Sequence, residues 1–267
     1  MVSYKGVLQK MRTEIGSPIQ YFLKLDVEVV LMNELLDKDI QIKLEGYQCL
    51  CCQKKKKIYR QGNCYDCFYD QASMGDWIMK PELSTAHLGI EDRDLEYEKA
   101  VQLTPHIVYL ASSSDVKIGV TRKTQVPTRW IDQGANRALA IMETPNRYLA
   151  GITEVALKNY VADKTNWRKM LKNDVPEVDL RSVRDELEQY IPLEAKEYFI
   201  KYEKKMFELD FPVLQYPEKV KSLNLVKTPE YSGKLKGIKG QYLIFEDNTV
   251  FNIRGNEGAV VSLVVAG

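Results

Sequence analysis

The sequence predicts an α+β fold. Apolar and polar residues alternate at both ends of the chain, two short apolar runs joined by a serine-rich turn open its middle, and a charged stretch after Asp179 has helical spacing. At 267 residues, 45% hydrophobic and 28% charged, the composition is that of an ordinary globular protein and excludes collagen-like and broadly disordered classes. The length fits one large domain or two small ones. With 38 Lys and Arg against 37 Asp and Glu, the net charge is +1, so attraction to a polyanion has to come from local clustering. No apolar stretch has the length of a spanning helix, and residues 1–26 lack the three-part layout of a secretory leader, so a soluble cytoplasmic protein with no membrane partner is expected.

Taken in order, strand signals fall at 6–13, at 18–25 through Ile19, Tyr21 and Leu23, and at 39–46, which predicts a small antiparallel sheet. The cysteine segment follows. Residues 91–98 carry five carboxylates against Arg93 with little apolar periodicity, which reads as a linker or solvated flank. Runs at 106–111 and 116–121 flank Ser112, Ser113, Ser114 and Asp115 and predict a hairpin. A short helix over 128–133 is expected because Pro127 presets its first turn and Gly134 suits its left-handed end. A third strand at 137–144 follows. A helix over 149–161 then places Ile152, Val155, Ala156 and Tyr160 on one face, with Glu154 turned away towards water or a cleft. Helical signal fills 179–207 with a break near Pro192, and strands return over 234–263, with Asp247 and Asn248 as turn residues. The terminal strands are expected to join in one barrel-like module. The resulting organisation is an N-terminal β module (1–48), a metal-binding segment with an acidic linker (49–105), a core (106–175), a helical segment (176–210) and a C-terminal β module (211–267).

All five cysteines lie between Cys49 and Cys67. Cys49 with Cys52, and Cys64 with Cys67, form two CxxC pairs closed by a short loop, a spacing that offers four thiolates to one tetrahedral ion. Sulfur-only ligation favours zinc, with an iron–sulfur cluster and a metal-free set of buried or redox-active thiols as the other readings, and a site closed by four sulfurs holds loops rather than activating water. Cys51 is left outside the ligand set. Lys54, Lys55, Lys56, Lys57 and Arg60 against Asp66 make this segment basic: either a solvated face or a contact for phosphates.

Between His106 and Lys172 there are eleven Lys or Arg and five Asp or Glu, which concentrates positive charge in the middle of a near-neutral chain. The hairpin presents Tyr109 on one strand and Lys117, Gly119 and Thr121 on the same face of the other. Arg129 follows at a helix start, where it either meets a ligand, stacks on Trp130 or pairs with Asp132. His106 and His87 are expected to be hydrogen-bonded structural residues rather than general bases. The polar run Asp163, Lys164, Asn166, Trp167 and Arg168 either finishes a cleft or caps a helix.

At these residues the sequence resembles the GIY-YIG nuclease superfamily. Ile107, Val108 and Tyr109 stand for GIY, and Lys117, Ile118 and Gly119 stand for YIG, as in its KIGxT variant. Over most of the chain, through VYLASSSDVKIGVTR, PTRWIDQGA and GITEVALKNYVADKTNWRKML, it also resembles an uncharacterised bacterial family, domain of unknown function family 2797. The resemblance implies a small antiparallel sheet flanked by helices, a zinc-ribbon-like cysteine cluster and a one-metal phosphodiester hydrolase. It makes Tyr109 the residue that activates or positions water, Arg129 the one that steadies phosphate charge, and Glu154 the ligand of Mg²⁺ or Mn²⁺. Lys117 replaces the second tyrosine and Ile107 the first glycine, and Asn166 matches a later asparagine. Arg122, Lys123, Lys158, Asn166 and Arg168 are the expected contacts to DNA or RNA. The expected function is a metal-dependent nuclease with a structural zinc; the alternative is a zinc-containing nucleic-acid binder that kept the scaffold without the chemistry. A protein partner is a third expectation, from the acidic flank and the charged helices after Asp179.

Overall fold

The strand Ala259–Val265 shows why the two ends of the chain come together: its residues are buried at every second position, so one face needs a core and both edges need partners. Val2–Val7 pairs antiparallel along one edge and Asp39–Tyr47 along the other. A computed structural model, describing residues 2–161, 165–202 and 205–266, extends this into a seven-stranded sheet. Its order is Val2–Val7, Ala259–Val265, Asp39–Tyr47, Glu230–Lys239, Tyr242–Phe245, Thr249–Asn252 and Lys221–Ser222. Asn248, at φ +69°, makes the expected turn after Asp247. The chain as a whole is mixed α+β, as its sequence predicts. It forms two compact units, Met1–Asp70 with Leu209–Gly267, and Gln71–Glu208.

In the first unit, the strand expected over 6–13 ends at Val7 and a separate one begins at Arg12. Leu8 and Met11 turn inwards instead of alternating, and the Leu8 and Met11 amides donate to the Ala259 carbonyl and to Gln241 Oε1 at 2.8 Å each. Arg12–Glu14, Gln20–Leu25 and Glu28–Leu31 form a second, three-stranded sheet. Its last strand escapes sequence reading because the turn before it is only Asp26, at φ +51°, and Val27, and its outward residues are exposed.

The second unit carries a sheet of order Val116–Arg122, His106–Ser112, Arg137–Thr144 and Phe207–Glu208. The central strand His106–Ser112 is buried along its whole length, so it reads as a continuous apolar run rather than an alternating one. Val108, Leu110, Ile118, Leu139 and Ile141 of this sheet pack with Ala150 and Leu157 of the helix Arg147–Leu157, and with Leu180 and Leu187. Gly134, at φ +65°, ends the short helix Thr128–Asp132 as expected.

Two expectations are corrected in this unit. Residues 91–98 are mostly exposed, as a solvated flank would be, but they are a helix start rather than a linker: Asp94 caps the helix Leu95–Gln102, and the buried Glu98 accepts from the amides of Arg93 at 2.7 Å and of Asp92 and Asp94 at 3.1 Å. A carboxylate three or four residues after a cap residue reaches back to orphan amides, which turns an acidic run into a helix start. The helix after Pro145 also shows a different face. Ala150, Gly151, Thr153 and Leu157 are buried, whereas Val155 and Tyr160 are 42% and 51% exposed. The short segment Pro81–Leu83 lies against Gly151, where a Cβ would stand 2.2 Å from the Glu82 amide nitrogen, so small residues rather than large ones set the buried stripe. Among the described residues no helix is long and apolar enough to cross a membrane.

Candidate functional site

Two sites emerge, one in each unit. In the first unit, Cys49 and Cys52 follow the strand Asp39–Tyr47, and Cys64 and Cys67 stand at the start of the helix Tyr65–Asp70. The first pair is bent by Gln53, at φ +57°, whose amide donates to the Cys49 carbonyl at 2.9 Å. The second is set by a turn in which Arg60 and Asn63 bridge, and the Leu50 amide donates to the Gly62 carbonyl at 2.9 Å to tie the two loops. The four sulfur atoms lie within 4.8 Å of one another. Tetrahedral thiolates around a metal at ~2.3 Å stand about 3.8 Å apart, so the set closes on one ion with small side-chain shifts.

Cys49 and Cys64 are buried, Cys52 and Cys67 half-buried, and Cys51 exposed and outside the group. Burial pushes the Cys49 thiol up, but the amides of Cys64, Cys52 and Cys51 outweigh it and bring its pKa to about 6. The Cys64 amide reaches Cys49 Sγ at 3.3 Å. One thiolate is thus prepared at neutral pH, while Cys67 is held protonated by its hydrogen bond to Cys64 and by burial. A cation held by the four sulfurs would favour the thiolate form of Cys67 as well. These four cysteines can hold one metal ion.

In the second unit, Tyr109 sits directly opposite Gly119 in the hairpin ladder. A Cβ at 119 would stand 2.6 Å from the Tyr109 hydroxyl, so only glycine lets the phenol cross the neighbouring strand. The ring packs edge-to-face on Trp130 at 5.7 Å, and its hydroxyl donates to Gln133 Oε1 at 3.2 Å. Burial raises the Tyr109 pKa against the opposing influence of Arg129 and Gln133, so the phenol stays protonated at neutral pH. Lys117 is 6% exposed; its ammonium donates to Thr165 Oγ1, which lies 3.1 Å from Ser113 Oγ. Burial, with a smaller push from Arg129, brings the Lys117 pKa down to about 7.

The helix Arg147–Leu157 is capped by Asn146, whose side chain accepts from the Leu149 amide at 2.9 Å. It supplies Glu154, whose side chain is 13% exposed and has Lys158 Nζ at 4.0 Å. Seven residues earlier, and therefore on the same face, Arg147 donates to the carbonyls of Trp77 at 3.1 Å and Ile78 at 2.8 Å. Burial lowers the Arg147 pKa to about 10, with Glu154 acting against it, so the guanidinium remains charged at neutral pH. Tyr109, Lys117, Arg129, Gln133, Arg147 and Glu154 all line one cavity of about 130 Å³. Among the described residues, three of the lining side chains are basic and one is a carboxylate. Such a hollow attracts an anion while leaving one oxygen donor for a cation.

The structure therefore brings together Tyr109, Lys117, Arg129 and Glu154. The other expected contacts stand outside the cavity lining. Lys123 pairs with Glu143 at 2.7 Å, and Arg122 lies at the end of its strand opposite His106. Asn166 caps the helix Trp167–Leu171, accepting from the amides of Arg168 at 3.2 Å and Lys169 at 3.3 Å, and Arg168 lies 4.2 Å over the Trp167 ring. Asp163 and Lys164 fall outside the described residues. His106 is buried, has Nδ1 at 2.7 Å from the Thr104 carbonyl and a pKa lowered by burial to about 4, so it is neutral and structural. His87 stacks on Tyr148 at 4.4 Å. Arg147 and Gln133 are the polar lining residues that sequence reading passed over. The seven-residue spacing from Arg147 to Glu154 is the signal that finds the first, while Gln133 has none beyond its position at a helix end.

No curated protein and no solved structure matches the chain. The model of a family described as Protein of unknown function (DUF2797) matches residues 37–261, a span that takes in both cysteine pairs, the hairpin and the helix of Glu154. The chain belongs to that family.

Proposed function

We propose that this chain is a divalent-metal-dependent phosphodiesterase acting on nucleic acid, built like a GIY-YIG nuclease and braced by a structural zinc at its four cysteines. One observation carries the reading: Tyr109, Lys117, Arg129 and Glu154, from two strands and two helices, line a single cavity in which, among the described residues, cations outnumber carboxylates. The guanidinium forks of Arg129 and Arg147 suit the non-bridging oxygens of a phosphodiester. Tyr109 keeps its proton and orients the attacking water. Lys117 stands where the resembled pattern has its second tyrosine, and its amine, poised near neutrality, accepts the proton that water gives up as the P–O bond to the departing sugar oxygen breaks, that oxygen taking its proton from solvent. Glu154 is the oxygen ligand for Mg²⁺ or Mn²⁺, which when bound stabilises charge on the phosphate as a Lewis acid. At the cysteines, four sulfurs favour zinc over hard cations and leave no open coordination position, so that ion holds the 49–67 loop in shape.

The test is a nicking assay on DNA and RNA, single- and double-stranded, with Mg²⁺ or Mn²⁺. Cleavage that Glu154→Gln abolishes supports the proposal, and inactivity on every substrate overturns it. A second reading, a cytoplasmic nucleic-acid binder without hydrolysis, is favoured by the Lys117 ammonium being held on Thr165. It gives salt-sensitive binding and no cleavage.

A further inference from the structure

The loop that carries the cysteines also carries aromatic rings that do not belong to a core. Tyr59, Tyr65 and Tyr69 are 41%, 61% and 47% exposed, and Phe68 is half-buried among them. Tyr59 has Tyr65 at 5.2 Å, Phe68 at 5.4 Å and Tyr69 at 5.9 Å, while Tyr65 and Tyr69, one helical turn apart, are 4.8 Å apart. A single exposed ring is ordinary on a protein surface, whereas a contiguous exposed group marks a place where something binds. The rings sit next to the cysteine set, because Tyr65 lies between Cys64 and Cys67 in the sequence and the helix Tyr65–Asp70 continues directly from the cysteine turn.

Charge selects the occupant. Lys54, Lys55, Lys56 and Lys57 on the same loop are all exposed, and Asp66, which pairs with Lys56 at 2.7 Å, is the only carboxylate between Cys49 and Cys67. The Arg60 guanidinium lies 5.3 Å over the Tyr59 ring. Beside these rings runs a groove of about 460 Å³, lined by Tyr47, Tyr59, Arg60 and Arg254, with Glu257 as the single lining carboxylate among the described residues. The Glu257 carboxylate already accepts from the Lys10 amide at 3.0 Å. Exposed ring faces interleaved with cations match a strand whose bases are unstacked and whose phosphates are evenly spaced. A duplex keeps its base faces covered and cannot use the rings.

We propose that Tyr59, Tyr65 and Tyr69, with Lys54–57, Arg60 and Arg254, form a stacking platform for an unpaired nucleic-acid strand. This names the strand form of the ligand and rests on the nucleic-acid reading above for its choice. Binding is measured on the full, zinc-loaded chain by fluorescence anisotropy with a labelled oligo(dT) strand, its duplex with oligo(dA), and poly-glutamate as competitor. The double substitution Tyr65→Ala with Tyr69→Ala is expected to weaken oligo(dT) binding on the order of tenfold or more and to leave duplex binding unchanged. Tyr65→Phe with Tyr69→Phe is expected to keep the affinity, since the ring face and not the hydroxyl makes the contact. Lys55→Gln with Lys57→Gln is expected to lower the salt slope.

Unchanged oligo(dT) affinity in the alanine pair, with zinc content and melting temperature intact, overturns the platform. So does equal competition by poly-glutamate, which would make this a surface for acidic protein. The two proposals separate cleanly. Cleavage lost in Glu154→Gln but ring-independent binding leaves the hydrolase standing and removes the platform, whereas ring-dependent binding by a chain that cleaves nothing does the reverse.

Discussion

In the cysteine loop all four donor atoms come from one short stretch of chain, positions 49–67, whereas the cavity in the other unit draws on residues from position 78 to position 154. The difference is one of what holds the geometry. A short loop costs little entropy to close, but its four sulfurs repel one another once ionised, and a metal must reconcile them. The cavity needs no ion to exist. Sheet pairing sets Tyr109 opposite Gly119, the hairpin turn sets Lys117 on the same side, and the close seat of Gly151 on Pro81 and Glu82 sets the helix that carries Arg147 and Glu154.

The sharpest way to break this contrast is to remove one of the four sulfurs that can hold a metal ion. Cys64→Ser is expected to abolish binding of one zinc per chain, read by elemental analysis, and to melt the 49–67 loop, because metal affinity in such sites is folding energy of about 10–16 kcal/mol. Full zinc content in that variant would mean that the sulfurs are not the site. In the cavity, Glu154→Gln is expected to cut nicking on the order of 10²–10³-fold while leaving the melting temperature unchanged. A fall in melting temperature equal to that of a core substitution would make Glu154 structural.

Packing of the cavity walls is next. Gly151→Ala forces a Cβ to within 2.2–2.4 Å of backbone atoms at Pro81 and Glu82, which cannot swing away as a side chain can. It is expected to cost about 1–3 kcal/mol in urea unfolding. Gly119→Ala presses on the Tyr109 phenol instead and is expected to lose activity more than stability.

A smaller effect comes from pH. Lys117 has a folded pKa of about 7 against an ordinary value of 10.5, so between those values the unfolded chain binds more protons and stability rises with pH. Lys239, buried and also lowered to about 7, works in the same direction. Lys117→Met is expected to reduce the rise between pH 7 and pH 9 by about one proton, measured from urea midpoints at both values. Smallest of all, Cys51→Ser is expected to change neither zinc content nor stability beyond about 0.5 kcal/mol, since that thiol is exposed and outside the sulfur group.

Much of this architecture was legible before any coordinates. The strand over 137–144 and the hairpin at its neighbour follow from apolar runs bounded by turn residues, and the cysteine group follows from spacing alone. The misreadings share a cause. At Leu8 and Met11 the chain turns its apolar residues inwards between strands; at Glu98 a carboxylate is buried because three amides need it; at Ala150 and Gly151 small residues face the interior because another segment presses on them. Each depends on a partner that periodicity does not see.

What the amino-acid order determined by itself is therefore everything with a short reach: strand and helix runs, turn chemistry, and four thiols within one loop. Which face of the Arg147–Leu157 helix looks inwards, that Arg147 joins the cavity, and that Lys117 loses its water were decided only when distant segments packed together. Burial and close backbone contact act through space, and a linear pattern carries no record of which neighbour will supply them.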